Sequence, residues 1–431
     1  MHEMKYSGIE WIGEIPKDWK LKRIQFCLNE INEKNIPIKT RQVLSLVKDK
    51  GVMLYEDKGN QGNKAKEDIS QYKIAYPNTL IINSMNILIG SVGISNYLGC
   101  VSPVYYVFKE NEYSDLRYIN YIFNTREFQK ELRKYANGIL EIRLRVSSYD
   151  IFKRKIPLPN KNTQEKIADF LDIKCNEIDV LYAEIEKQIE TLEEYKKTII
   201  THAVTKGLNS NIEMKDSGVE WLGKIPKNWN VTRIGYESWI RARLGWKGLK
   251  AEEYVLDGHP FLSAYNIIQN KISWDQLNYI TDERYFESPE IMLKKGDIVL
   301  VKDGAGIGKC AKIDNLPYGT ATTNGSLAVI TPTFGKLDYN YLYFYLQSAM
   351  FQNYILRIMN GMGVPHLSQE ELRKIKIPFP PIDEQIEIAK YLEKKQSDID
   401  MAILEKIKQL DALKQYKRSF IFEYVTGKNE V

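Results

Sequence analysis

Residues 7–24 read SGIEWIGEIPKDWKLKRI, and residues 217–234 read SGVEWLGKIPKNWNVTRI. Both Trp, both Gly, the Pro and the Arg return at the same spacing, 210 positions on (217 − 7). Solenoid units run to roughly 20–50 residues, so this period is too long for one. It matches a whole domain of roughly 100–200 residues. The chain is therefore two copies of one design, each doing a related job on a similar but not identical target.

The copies also end alike. Ile156-Pro-Leu-Pro159 and Ile377-Pro-Phe-Pro380 each precede a long helical pattern. From there one offset of 221 holds: Gln164 matches Gln385, Leu171 matches Leu392, Asp179 matches Asp400, Lys196 matches Lys417, and Thr205 matches Thr426. Asn162 with Glu165 reads as a capping box. Asp383 and Glu384 put negative charge in the second helix's first turn, and Gly207 and Gly427 mark the ends. Each helix is expected to run about 40 residues, or about 60 Å. Leu171, Ile178, Leu181, Ile185, Leu192, Tyr195 and Ile199 form an apolar stripe, with Gln188 as its polar interruption. Ile399, Ile403, Ile407, Leu410, Leu413, Tyr416 and Phe420 form the second. A narrow stripe that long needs a long partner, so the two helices are expected to pack as an antiparallel coiled-coil pair. The fold class expected is α+β: two pseudo-repeated mixed α/β domains separated by these helices. The boundaries are 1–158, 159–207, 208–379 and 380–431.

The middles diverge. Strands are expected at 42–47, 79–83 and 104–108, and at 261–263, 297–301 and 327–330. A helix follows in each copy, at 118–135 and 341–359, and Arg143-Leu144 then answers His366-Leu367. Variable loops on a shared scaffold carry specificity. Their chemistry suits DNA, because Lys meets phosphates while Asn and Gln pair with adenine. In the first copy the candidates are Lys58, Asn60, Gln61, Asn63, Lys64, Lys66, Ser84, Arg143 and Arg145. In the second they are Arg241, Arg243, Lys247, Lys250, Tyr265, Asn266, Lys302, Asp303, Lys309, Thr323, Asn324 and His366. Clusters carry this reading, since a lone surface Lys or turn Asn is usually only solvated.

Catalytic motifs fail. Asp303-Gly-Ala-Gly-Ile-Gly-Lys309 has Asp303 where a P-loop needs Gly and Cys310 where it needs Ser or Thr, so it is expected to be a tight turn after a strand. No amino-methyltransferase motif, nucleophile elbow or HExxH occurs. Four scattered Cys and four scattered His give neither a disulfide framework nor a metal site. No 18-residue apolar run or secretory leader is found, so a cytoplasmic protein without membrane association is expected. The net charge of +5 permits nucleic-acid binding without requiring it.

These features together resemble the specificity subunits of type I restriction-modification systems. The resemblance rests on GIEWIGEIPKDW and GVEWLGKIPKNW, on IPLP with QEKIADFLD and IPFPPIDEQIEIAKYL, and on YKKTIITHAVTKG and YKRSFIFEYVTGK. Gly296-Asp-Ile-Val299 also fits, whereas Asn78-Thr-Leu-Ile81 departs from that pattern. The resemblance implies two target recognition domains, each reading half of a split, asymmetric site in double-stranded DNA. It implies helices that set the gap and dock modification (methyltransferase) subunits acting on adenine N6, with a restriction (translocase/endonuclease) subunit joining. This chain would be non-catalytic and bind no cofactor, with S-adenosylmethionine, ATP and Mg on the partners. The rivals are a fused methyltransferase or nuclease, which lacks any cofactor motif here, and a coiled-coil adaptor that binds no DNA.

Overall fold

The computed structural model describes residues 3–48, 50–59, 64–138, 144–243, 249–359 and 366–431. The chain forms two units: residues 1–186 with 407–431, and residues 187–406. Each unit thus combines a sheet-bearing segment with part of both long helices.

The repeated box is a hairpin. In the first unit Met4–Tyr6 pairs with Glu14–Pro16, Met4 opposite Pro16. In the second Met214–Asp216 pairs with Lys224–Pro226, Met214 opposite Pro226. Ile9 and Val219 carbonyls accept the amides of Gly13 and Gly223, closing equivalent turns. The hairpin delivers Trp19 and Trp229, both buried, into the two cores. Here the invariant spacing of the box has its physical cause.

Each unit is built on a four-stranded antiparallel sheet. In the first, β1 (Leu28–Ile31), β2 (Thr79–Asn83), β3 (Val92–Ser95) and β4 (Tyr105–Glu110) lie in the order β1-β4-β2-β3. The second unit adds β5 (Ser238–Arg241), β6 (His259–Leu262), β7 (Ile298–Val301), β8 (Cys310–Lys312), β9 (Thr322–Thr323) and β10 (Leu327–Pro332). Its sheet runs β5-β10-β7-β8, the same topology. Strands β2 and β7 are buried along their whole length because both faces are covered. Side chains alternate between faces. Leu80 and Ile82 join the main core with Phe108, while Ile81 meets Leu44, Leu46 and Val107 on the other side. Ile298 and Leu300 likewise face one core, and Val299 and Val301 the other.

The helices expected at 118–135 and 341–359 are each broken in two. Leu116–Phe123 gives way to Arg126–Arg133, whose first turn the Thr125 hydroxyl caps by accepting from the Phe128 amide. Tyr339–Gln347 gives way to Ala349–Met359 at the equivalent Ser348. Tyr118 is fully buried, and its hydroxyl lies 3.0 Å from the Pro157 carbonyl and 2.9 Å from that of Val425. Tyr341 does the same with Pro378 and Val204. Gln164 takes the Asp115 amide and donates to the Pro159 carbonyl. Its match Gln385 takes the Asp338 amide and donates to Pro380. The recurring Gln and Tyr are therefore rivets joining helix ends to the rest of each unit.

The long helices are α1 (Lys161–Lys206, 46 residues) and α2 (Ile382–Val425, 44 residues). At 1.5 Å per residue they run about 69 and 66 Å. The cap of α1 is Asn160, whose side chain accepts the Thr163 amide, not the expected Asn162–Glu165 box. Gly207 and Gly427 follow the helix ends with positive φ. Gly207 lies against Trp229, where a Cβ would be crowded, and Gly427 against Pro16 and Trp19, where a Cβ would collide with the Pro16 ring. The apolar stripe differs from the expected one: Leu181, Gln188, Tyr195, Ile407 and Tyr416 are exposed. The covered face instead steps through Leu171, Cys175, Ile178, Tyr182, Ile185, Ile189, Leu192, Lys196 and Ile199. This strict alternation of four and three is a 3.5-residue repeat. Its polar member is Lys196, 3.0 Å from Asp400 within the second unit. The matching Lys417 pairs with Asp179 within the first. Phe170 also meets Tyr424 in the first unit, ring centroids 4.9 Å apart.

Candidate nucleic-acid interface

In the second unit several loops meet where β6, β7 and β9 end and β10 begins. β6 pairs in parallel with β9, Leu262 opposite Thr323. The Asn324 amide then donates to the Leu262 carbonyl, and the Asn324 side chain accepts the amide and hydroxyl of Ser326. The Lys302 amide donates to the Ser326 carbonyl, which ties in the end of β7. The returning strand closes the group, since the Leu367 amide donates to the Lys302 carbonyl at 2.8 Å. Glycine makes this close approach tolerable: the β7–β8 turn has positive φ at Gly304 and Gly308. The expected tight turn is thus present.

Charged and ring groups decorate this end. The Lys302 ammonium lies 2.7 Å from Asp303, whose other carboxylate oxygen meets Nδ1 of His366. The His366 side chain is 58% exposed. Just after it, Ser368 caps the helix Gln369–Lys374. The Ser368 hydroxyl and amide hold the Glu371 carboxyl below the usual glutamate value. Tyr265 stands 92% exposed on a short turn, and Lys309 and Lys250 are exposed.

The first unit carries the equivalent end with other chemistry. The Val146 amide donates to the Ser84 carbonyl, as Leu367 does to Lys302. Arg145, not the expected Arg143, is therefore the counterpart of His366. The offset shrinks from 223 at Tyr118/Tyr341 (341 − 118) to 221 at Arg145/His366 (366 − 145), so a two-residue difference in the connecting loop shifts the match. Arg145 is exposed, with Nη2 3.5 Å from Sδ of Met85. Met85 thus stands where the second unit has Asp303, a position that reasoning from polar residues alone missed. Lys64 and Lys66 are exposed, and the Lys58 ammonium covers the Tyr55 ring at 4.1 Å.

Five expected contacts are buried instead. Ser84 is 3% exposed at the end of β2. Arg241 is a structural cation, its Nη2 2.9 Å from the fully buried Asp297 and its plane over Trp239. Arg243 lies buried against Phe261, and burial lowers its pKa. Asn266 uses its side-chain oxygen to accept the amide and hydroxyl of Ser263. Thr323 is fully enclosed in β9. Each has the residue type of a loop polar group, but strand pairing and desolvated partners take them inside. Asn60, Gln61, Asn63, Arg143 and Lys247 lie outside the described residues. No cluster of His, Cys, Asp or Glu able to hold a metal occurs among the described residues, and no helix there is long and apolar enough to cross a membrane.

A family model described as the type I restriction modification DNA specificity domain matches residues 16–191 and 247–409. The chain belongs to this family. The MjaVIII specificity subunit of Methanocaldococcus jannaschii is 27% identical over 357 residues, 81% of this chain and 77% of the relative. The EcoBI specificity subunit of Escherichia coli is 22% identical over 285 residues, 63% of this chain and 58% of the relative. A solved chain of a type I R-M system shares the fold at TM-score 0.73 and 14% identity, covering 96% of this chain and 99% of that one. The HsdS subunit of Thermoanaerobacter tengcongensis does so at TM-score 0.55 and 14% identity, covering 98% and 100%. DNA specificity is accordingly the role of this specificity subunit. Its strand-end loops carry exposed donors and acceptors.

Proposed function

We propose that this specificity subunit reads a bipartite, asymmetric site in double-stranded DNA, one half with each unit, and has no catalytic activity of its own. The observation that carries the reading is the shared sheet end dressed differently: Met85 and Arg145 in one unit, Asp303 and His366 in the other. One backbone grips equivalent stretches of duplex, and different side chains read different bases. Exposed lysines such as Lys64, Lys66 and Lys309 supply phosphate contacts, which carry much of the affinity and make it salt dependent.

The long helices α1 and α2 act as a coiled-coil ruler that sets the gap and as the docking surface for modification subunits. The 3.5-residue repeat and the Lys196–Asp400 and Lys417–Asp179 pairs support this. Those partners carry S-adenosylmethionine and transfer its methyl group to adenine N6. A restriction subunit adds ATP- and Mg-dependent translocation and cleavage in the cytoplasm. Mapping methylated adenines in a host carrying the genes for this chain and its modification partner tests the whole reading. Two separated motifs with a fixed gap are expected, and one contiguous motif overturns the bipartite assignment.

A further inference from the structure

We infer that the side chain bridging to the end of the second sheet strand is the position at which the two units differ in base choice: Arg145 presents hydrogen-bond donors in the first unit, and His366 presents an acceptor in the second. This rests on the proposed reading of one half-site by each unit. The two positions are equivalent by backbone geometry, because each residue immediately precedes the amide that bonds the strand end (Val146 to Ser84, Leu367 to Lys302). They share a place in the fold and an exposed side chain, and they differ in chemistry.

Arg145 carries only donors, in a planar fork. Its Nη2 rests 3.5 Å from the Met85 sulfur, a weak acceptor that steadies the group without neutralising it. A fork of donors in the major groove matches O6 and N7 of guanine. At the second position the carboxylate of Asp303 meets Nδ1 of His366. A carboxylate only accepts, so Nδ1 carries the proton. In the neutral ring Nε2, on the far side, is then a bare acceptor. The Lys302 ammonium, 2.7 Å from Asp303, holds that carboxylate in place. An acceptor in the major groove matches the exocyclic amino group of adenine or cytosine and rejects the carbonyl oxygens of guanine and thymine. Asp303 and Lys302 are positioning residues, which set the tautomer that His366 shows.

The test uses the full complex with its modification subunits, a plasmid library with both half-sites randomised, and sequencing of methylated adenines. The wild type is expected to require guanine at one base pair of the first half-site. His366→Arg is expected to turn one adenine or cytosine of the second half-site into guanine by about 5- to 150-fold, and to leave the first half-site unchanged. Arg145→His is expected to lose the guanine in the first half-site only. Full methylation by His366→Arg with both half-sites unchanged overturns the inference. So does a first half-site without guanine. Should the exchanges give an inactive complex, Arg145→Ala and His366→Ala remove only exposed side chains. Each must then relax one base pair of its own half-site, and retained preference in both overturns the inference. A wild type that methylates without two separate motifs refutes the bipartite reading instead, an outcome distinct from all of these.

Discussion

Arg241 separates two roles that the sequence confounds. In Arg241-Ala-Arg243 it looks like a phosphate or base contact, whereas its side chain is 5% exposed and paired with a fully buried Asp297. Asp297 also accepts the Lys294 amide at 2.9 Å and the Thr331 hydroxyl. Replacing Arg241 by Ala leaves that carboxylate buried without its cation, which costs about 3–5 kcal/mol when one partner of a buried pair is removed. For a unit of this size that corresponds to a fall of roughly 6–20 °C in the melting transition. Changing both partners to apolar residues, Arg241→Met with Asp297→Leu, removes the stranded charge and should recover most of the loss. The assay is thermal and urea unfolding of the full chain followed by Trp fluorescence and circular dichroism, with the second unit's transition resolved. A loss below about 1 kcal/mol in Arg241→Ala, together with abolished DNA binding by the folded variant, would refute the structural assignment and restore Arg241 to the interface.

Tyr118→Phe and Tyr341→Phe should each destabilise their own unit by about 1–3 kcal/mol, read from urea midpoints, because two buried carbonyls lose their donor. Burial raises Tyr118, Tyr341 and Tyr345 well above the ordinary 10.0 and pushes the Cys27 thiol up to about 11. Their folded state prefers the protonated form, so this stabilisation is present below 9.0 for the thiol and below 10.0 for the phenols, and is lost as pH rises above those values. Unfolding between about pH 10 and 12, with phenolate absorbance appearing cooperatively, is the expected sign. Lys309→Ala should weaken binding evenly across sequences and reduce the slope of log affinity against log salt by about 0.9, measured by titration at several salt concentrations. One heptad added to both α1 and α2 at matched levels lengthens the ruler by about 10 Å, and methylation mapping should show a longer gap with the same bases.

The repeated elements were legible because their chemistry is local or periodic. Proline before a helix, glycine after one, and a Trp at fixed spacing recur for reasons that a few residues contain. The strand at 79–83 was likewise visible as an apolar run with an Asn turn behind it. Side-chain direction was not legible. Arg241, Arg243, Asn266 and Thr323 have the residue types of a DNA-reading loop, and only strand pairing across some 60 residues (297 − 241 = 56) reveals that Arg241 faces Asp297. The helix stripe failed for a related reason. Leu181 and Tyr195 are apolar and fall near the right spacing, yet the covered face follows a 3.5-residue step and includes Lys196, which meets Asp400. The counterpart of His366 shifts by two residues from Arg143 to Arg145, because a difference in loop length is invisible to a match carried forward from the preceding helices.

The first unit is finished by the far end of the chain. Val425 accepts the Tyr118 hydroxyl, and Gly427 sits against Pro16 and Trp19. A ribosome must therefore make more than 400 residues after Trp19 before that core can close, while the second unit is continuous from 187 to 406 and can close sooner. During synthesis the first-made half waits longest, with its Trp19 surface uncovered. A message cut short before the Val425 codon leaves Tyr118 without that partner.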